Sequence, residues 1–398
     1  MSFEKQIKRS GFKRILSKIA ASPDRGSIRE KFGIVSEVEE EIANTYTLQA
    51  QYNLQNNWSQ SVFAQRKNRY YNIYPYDYNR VILNSTTKPI CTEKIQKRQK
   101  KFEAISCIPQ NDLDLGNPEH ERDSIVAEEY KNSYINASWI MAPSELPGHS
   151  YIATQGPLKH TAGCFWQMVY ERKVQRIVML TKCNEKKMEK CSTYWPTEGI
   201  RFNNFTENGV CVSFLSENII LDGNAIERKF EVFPTNTQRG EQEELLHGVH
   251  IDEPSELLHD GLIVTQYCFM DWPDSGIPSS SKSIIDLIKH VRTTNRAGVE
   301  LTSSSTTEDN NVSGKALENT SKGPTIVHCS AGVGRTGTWC VLDSCIEYLE
   351  KFGEYDGDLI FDLFLFYRRQ RVHMVQTSSQ LSFIYKALHF YLDSERLL

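Results

Sequence analysis

The chain has 398 residues, of which 39% are hydrophobic, 11% aromatic and 24% charged. That apolar share supports a sizeable core and excludes global disorder. Lys and Arg total 46 against 50 Asp and Glu, a net charge of −4 that speaks against a protein coating nucleic-acid backbones.

The first 31 residues carry nine Lys/Arg against three acids, and Phe12, Ile15, Leu16 and Ile19 recur at helical spacing until Ser22-Pro23. This basic extension, residues 1–44, is expected to be helical. It either packs on the domain that follows or docks an acidic partner or a membrane surface. Charges stand where a signal peptide needs its apolar centre, so a cytoplasmic or nuclear location is expected. No apolar run approaches the roughly 18 residues of a membrane span; the most apolar stretch, 359–367, is short and broken by Asp362.

From about residue 45 the pattern becomes globular, and one domain over 45–396 is expected. Ile177-Val178-Met179-Leu180 and Thr325-Ile326-Val327 are short continuous apolar runs, as in strands buried on both faces. A helix is expected over about 281–295. Val341, Leu342, Cys345, Ile346 and Leu349 give a second helix one apolar face. Alternating strands and helices point to an α/β sheet covered by helices. Residues 235–260 are polar and irregular. Residues 299–323 are rich in Ser, Thr, Asn and Gly and read as a surface loop. The ten cysteines form no C-x-x-C pair, and nine are expected to be small buried hydrophobes.

The exception lies in Val327-His328-Cys329-Ser330-Ala331-Gly332-Val333-Gly334-Arg335-Thr336-Gly337, between an apolar strand and an amphipathic helix. Gly332, Gly334 and Gly337 also satisfy G-x-G-x-x-G. A dinucleotide loop, however, needs neither a thiol at its start nor a guanidinium inside it. It also needs an acid ending a second strand, and Glu354 and Asp356 sit instead in a Gly-punctuated turn. Backbone N–H groups at a helix N-terminus attract anions, and with a nearby cation they favour the thiolate of a cysteine. Cys329 is therefore expected to be a thiolate nucleophile. Arg335 supplies a planar fork for two phosphate oxygens. Attack on phosphorus would give a cysteinyl-phosphate.

This string resembles the signature of the protein-tyrosine phosphatases, and further motifs over roughly 45–396 resemble the tyrosine-specific, non-receptor branch. The resemblance implies one α/β domain with a central, highly twisted mixed β-sheet flanked by helices. It implies hydrolysis of phosphotyrosine with no metal or cofactor, and reversible inactivation by oxidation. Ser330, Ala331, Gly332, Val333 and Gly334 would cradle the phosphate, and Thr336 would bond the Cys329 sulfur or cap the helix. Asn68-Arg69-Tyr70-Tyr71-Asn72 is similar to the phosphotyrosine-recognition loop. Tyr70 would wall the pocket and set its depth, and Asn72, where the family often has Asp, would orient the substrate backbone.

Tyr134-Ile135-Asn136-Ala137-Ser138 and 151–158 resemble structural motifs. Glu185 would hold Arg335, with Glu189 a nearby rival, and Tyr194 would bond His328. Asp271-Trp272-Pro273-Asp274 resembles the mobile acid loop, Asp274 being the acid and then the base and Trp272 supporting the hinge. In 368–380, Gln376 would orient water with Gln380 supporting. His373 would either narrow any second anion site near Arg368, disfavouring doubly phosphorylated peptides, or simply pack. Expected partners are phosphotyrosine-containing proteins acting on a monomer, with no nucleic acid. A MAP kinase is one candidate through Lys8-Arg9 and Lys13-Arg14-Ile15-Leu16. The alternative is a pseudophosphatase that binds phosphotyrosine without hydrolysing it.

Overall fold

The computed structural model describes residues 62–84, 133–144, 150–200, 202–235, 261–273, 276–302 and 323–395. The basic extension, the core of both irregular segments, and Asp274 lie outside them. In chain order the elements are α1 (Val62–Lys67), β1 (Arg80–Ile82), β2 (Tyr134–Met141), β3 (Ser150–Thr154), α2 (Ala162–Glu171) and β4 (Arg176–Met179). A small hairpin, β5 (Asn184–Glu185) and β6 (Met188–Glu189), follows. Next come β7 (Phe202–Phe205), β8 (Val210–Ile220), β9 (Ala225–Pro234), β10 (Leu262–Phe269), α3 (Ser281–Thr302) and β11 (Thr325–His328). The chain closes with α4 (Gly334–Phe352), α5 (Leu359–Arg368) and α6 (Ser378–Ser394).

Among the described residues nine strands form one twisted mixed sheet in the order β1-β2-β3-β11-β4-β10-β9-β8-β7. The two apolar runs found in the sequence are its centre, β4 and β11. Successive side chains of a strand point to opposite faces. Ile177 and Ile326 accordingly enter a core under α2, while Val178 and Val327 enter the larger core under α3 to α6. The five apolar positions of α4 are all buried.

The register of the centre assembles the site. β3, β11, β4 and β10 run parallel, and Thr154, His328, Met179 and Cys268 stand level at their carboxyl ends. Four loops therefore leave the sheet along one edge: 155–157, 329–333, 180–184 and 270–273.

Two expectations need correction. α3 runs to Thr302, through the first residues of the segment expected to be irregular from 299. Its only local breaker, Gly298, costs about 1 kcal/mol and does not end a helix by itself. Cys164 and Cys183 are half-buried rather than buried; the other six described cysteines are buried. Among the described residues no helix is long and apolar enough to cross a membrane.

Candidate active site

Cys329 follows β11 directly and is 5% exposed. Its sulfur accepts the Gly332 backbone N–H at 3.3 Å and the Thr336 hydroxyl at 3.4 Å. Thr336 does not cap α4. The cap position is Val333, which offers no side-chain acceptor, so the first turn keeps its N–H groups for an anion.

The loop becomes a cradle because its carbonyls are tied outward. The Cys329 carbonyl accepts from His328 Nδ1 at 3.2 Å and the Ser330 carbonyl from the Gly156 N–H at 2.9 Å. Arg371 donates to the carbonyls of Ala331 at 3.2 Å and Gly332 at 2.8 Å. In a trans peptide the N–H points opposite to its C=O. The N–H groups of Ser330, Ala331, Gly332 and Val333 thus turn to the inner side. Gly332 must lack a side chain: its φ is 71°, and a Cβ would lie 2.1 Å from the Thr154 carbonyl oxygen.

Arg371 carries no role in the sequence reading, although it stands in the Arg-rich string before Gln376. It is fully buried, and burial pulls its guanidinium below its usual range. Its remaining donors reach Ser138 Oγ at 3.0 Å and Asn136 Oδ1 at 2.8 Å. Asn136 and Ser138 belong to the motif 134–138, so that motif anchors the clamp behind the cradle. Arg371→Met leaves four acceptors without this donor, three of them buried, and is expected to cost about 3 kcal/mol or more. Urea unfolding measures this; a loss under about 1 kcal/mol would contradict the account.

Arg335, in the first turn of α4, is held by two bonds to Glu185, at 2.7 and 2.8 Å, and one to the Leu180 carbonyl at 3.0 Å. Burial works to raise the Glu185 carboxyl, but the Arg335 hydrogen bonds and charge outweigh it and hold the group below the usual carboxylate range. The rival Glu189 pairs instead with Arg69, at 3.2 Å. The hairpin separates the two acids: Lys186 and Lys187 at its tip take φ of 47° and 63°, and the strands on either side carry Glu185 and Glu189.

Arg335 also reaches the Pro273 carbonyl at 3.3 Å, which links the cradle to the acid loop. In that loop Trp272 is buried and donates to the Gly276 carbonyl at 3.0 Å. Both carboxylate oxygens of Asp271 accept serine hydroxyls, from Ser279 and Ser283. Asp271 is thereby committed to structure.

Tyr70 stands at the opposite wall, its hydroxyl 2.9 Å from Ser330 Oγ. Ser330 spends its own proton on the Lys190 carbonyl at 2.9 Å, so Tyr70 is the donor between the two hydroxyls. Asn72 is exposed beside it. On the remaining side Gln376 is exposed and Gln380 buried. The Gln380 Oε1 accepts the backbone N–H of Gln376 at 2.8 Å, closing the first turn of α6 with a Thr377 capping box.

Val375, just before Gln376, has φ of 58°, a conformation that costs a β-branched residue about 1–3 kcal/mol. Its N–H donates to the Val333 carbonyl, which stitches this loop to the cradle. Gly337 permits the approach, since a Cβ there would lie 2.3 Å from the Val375 nitrogen. Arg368 is buried, and its Nη1 donates to the carbonyls of Met374 at 2.9 Å and Val375 at 2.8 Å.

Behind the cradle, His328 is fully buried, and burial lowers its pKa from 6.5 to about 4. Its Nε2 lies 2.9 Å from the Tyr194 hydroxyl. The folded protein therefore holds the ring neutral while the unfolded chain protonates it below 6.5. Stability from this residue is complete above pH 6.5 and falls by about 3 kcal/mol as the pH drops to 4. His328→Gln is expected to flatten that part of the stability curve, read by urea titrations at pH 7 and 4.5; an unchanged slope would contradict it.

Fold and site together set a cysteine and an arginine around one loop at the carboxyl edge of a mixed sheet, its backbone N–H groups turned inward. The family model for protein-tyrosine phosphatase matches residues 64–390. The chain belongs to the protein-tyrosine phosphatase family. It is 31% identical over 328 residues to human receptor-type tyrosine-protein phosphatase epsilon, covering 82% of this chain and 34% of that one. It is 31% identical over 323 residues to human receptor-type tyrosine-protein phosphatase zeta, 81% and 10%. It is 32% identical over 268 residues to human tyrosine-protein phosphatase non-receptor type 9, 67% and 38%. The relatives include a non-receptor type, as expected from the motifs, together with receptor types. The matched region spans between about a tenth and two fifths of these relatives' own length.

Proposed function

We propose that this protein hydrolyses phosphotyrosine in other proteins through a phosphocysteine intermediate. The observation that carries this reading is the Cys329 sulfur, set at the floor of a loop whose carbonyls are pinned outward and whose N–H groups face in. The thiolate attacks phosphorus and the bond to the phenolic oxygen breaks. Asp274 gives that oxygen its proton, and tyrosine leaves. In the second step Asp274, now a carboxylate, takes a proton from water oriented by Gln376. The water oxygen bonds phosphorus, the S–P bond breaks, and Thr336 Oγ donates to the departing sulfur. Arg335 spans two phosphate oxygens throughout and strengthens its hold as charge spreads over them. Tyr70 walls the entrance, so the depth of the cradle favours the long phosphotyrosine over phosphoserine.

The test is an acid quench of enzyme mixed with a ³²P-labelled phosphotyrosyl peptide. Label is expected on the peptide containing Cys329, and orthovanadate is expected to prevent it. Turnover without protein-bound label would overturn the covalent route; absence of turnover would favour a binding module.

Substrate choice is proposed to involve residues 1–31, whose basic and aliphatic pattern suits a MAP kinase. Their removal is expected to slow dephosphorylation of such a kinase severalfold while leaving small aryl phosphates unaffected. Equal rates on the kinase would dismiss this partner.

A further inference from the structure

A line of hydrogen bonds runs from the protein surface to the carbonyl of the nucleophile. It begins at Glu217, whose side chain is 46% exposed and accepts from Arg228 Nε at 2.5 Å. The Arg228 guanidinium lies 4.8 Å from the centre of the Trp195 ring, and its Nη1 donates to Gln266 Oε1 at 3.0 Å. Gln266 Nε2 donates to the Tyr194 hydroxyl at 2.8 Å. That hydroxyl meets His328 Nε2, and His328 Nδ1 meets the Cys329 carbonyl. Gln266 and His328 are fully buried, Tyr194 nearly so, and β9 and β10 hold Arg228 and Gln266 opposite each other in register.

The chemistry of the two ends dictates the direction of every link. A guanidinium only donates, so Gln266 must turn its oxygen to Arg228 and its amide N–H groups to Tyr194. A carbonyl only accepts, so the proton of the neutral imidazole sits on Nδ1. Nε2 is then a bare acceptor, and the Tyr194 hydroxyl, already accepting from Gln266, donates to it. Burial holds the Tyr194 phenol well above its usual range, so it keeps its proton for this task.

We propose that Gln266, oriented from the surface by Arg228, is a positioning residue that sets the tautomer of His328 and so keeps the Cys329 carbonyl outside the phosphate cradle. Were the Gln266 acceptor to face Tyr194, the phenol would donate to it. Nε2 would lose its donor, and the imidazole proton would move to Nε2, where the phenolic oxygen accepts it. The Cys329 carbonyl would then have no partner at His328, and the Ser330 peptide could turn.

The proposal deepens the catalytic reading, but its main readout does not depend on it. ¹⁵N-histidine spectra of the full chain report the tautomer directly, and His328→Gln identifies the signal among the ten histidines. In the unaltered protein a single Nδ1–H form is expected. Gln266→Glu has the same shape and no donor for Tyr194. It is expected to populate the Nε2–H form and to lower kcat about 3–10-fold at unchanged KM. Arg228→Gln, which frees the amide to turn, is expected to act the same way. Arg228→Lys, which again only donates, is expected to restore the Nδ1–H form.

A folded Gln266→Glu protein with an unshifted Nδ1–H signal overturns the proposal whatever its activity. If that variant does not fold, Arg228→Gln and Arg228→Lys decide: identical spectra overturn it. A tautomer change in a protein that hydrolyses no phosphate ester supports the line of bonds and refutes the catalytic reading instead.

Discussion

Cys329→Ser is expected to lower phosphotyrosine hydrolysis by on the order of 10⁴–10⁶-fold while leaving phosphopeptide affinity within a few fold. The reason is that the two functions use different atoms. In the proposed reading, binding relies on Arg335 and on loop N–H groups whose carbonyls are tied to His328, Gly156 and Arg371, and none of these is altered. Hydrolysis needs a nucleophile that is charged and that also departs in the second step. A serine hydroxyl receives the same two donors, Gly332 N–H and Thr336 Oγ, yet is a far weaker acid than a thiol. Initial rates on an aryl phosphate and calorimetry with a phosphotyrosyl peptide measure both quantities. Retained turnover would remove Cys329 from the nucleophile's role; lost affinity would mean that the cradle depends on sulfur for its shape.

Asp274→Ala is expected to cost about 10²–10⁴ in kcat on phosphotyrosyl peptides, the usual worth of a placed general acid. The loss should shrink as the leaving group becomes a better phenolate, because 4-nitrophenolate needs its proton less. The alkaline limb of the kcat/KM profile should flatten, since that limb reports deprotonation of the acid. The flanking residues suit such a role: Pro273 is tied to Arg335 through its carbonyl, and Trp272 spans the loop to Gly276. Asp271 is occupied by Ser279 and Ser283 and is not expected to substitute for Asp274. An unchanged rate on phosphotyrosine would remove Asp274 from the acid role. Combined, Cys329→Ser/Asp274→Ala should hold phosphoproteins long enough to recover them from lysate and name the substrate.

Every feature readable from the chain alone is local in sequence. β4 and β11 declare themselves as continuous apolar runs because both faces of each strand are covered. The cradle declares itself because thiol, glycines and guanidinium must sit within one turn of a helix start. The end of α3 was less legible, since between Val291 and Thr302 no proline ends the helix, and Thr293, Thr294, Asn295 and Gly298 weaken it without stopping it. The choice between Glu185 and Glu189 was open because the two lie four residues apart in one charged run. Only the hairpin between them decides which carboxylate reaches Arg335.

The amino-acid order by itself nominated the proposed reacting groups: sulfur, guanidinium, acid and amide, each announced by its neighbours within about ten residues. The tertiary structure decided which of the many other polar groups keep that chemistry in shape. Arg371 lies 39 residues from the carbonyl of Gly332, and Gln266 lies 72 from the hydroxyl of Tyr194. A bond between such distant groups leaves no periodic trace in the chain. It exists because parallel strands in level register deliver their loops to one edge, where each buried donor that finds an acceptor avoids a penalty of about 1–3 kcal/mol.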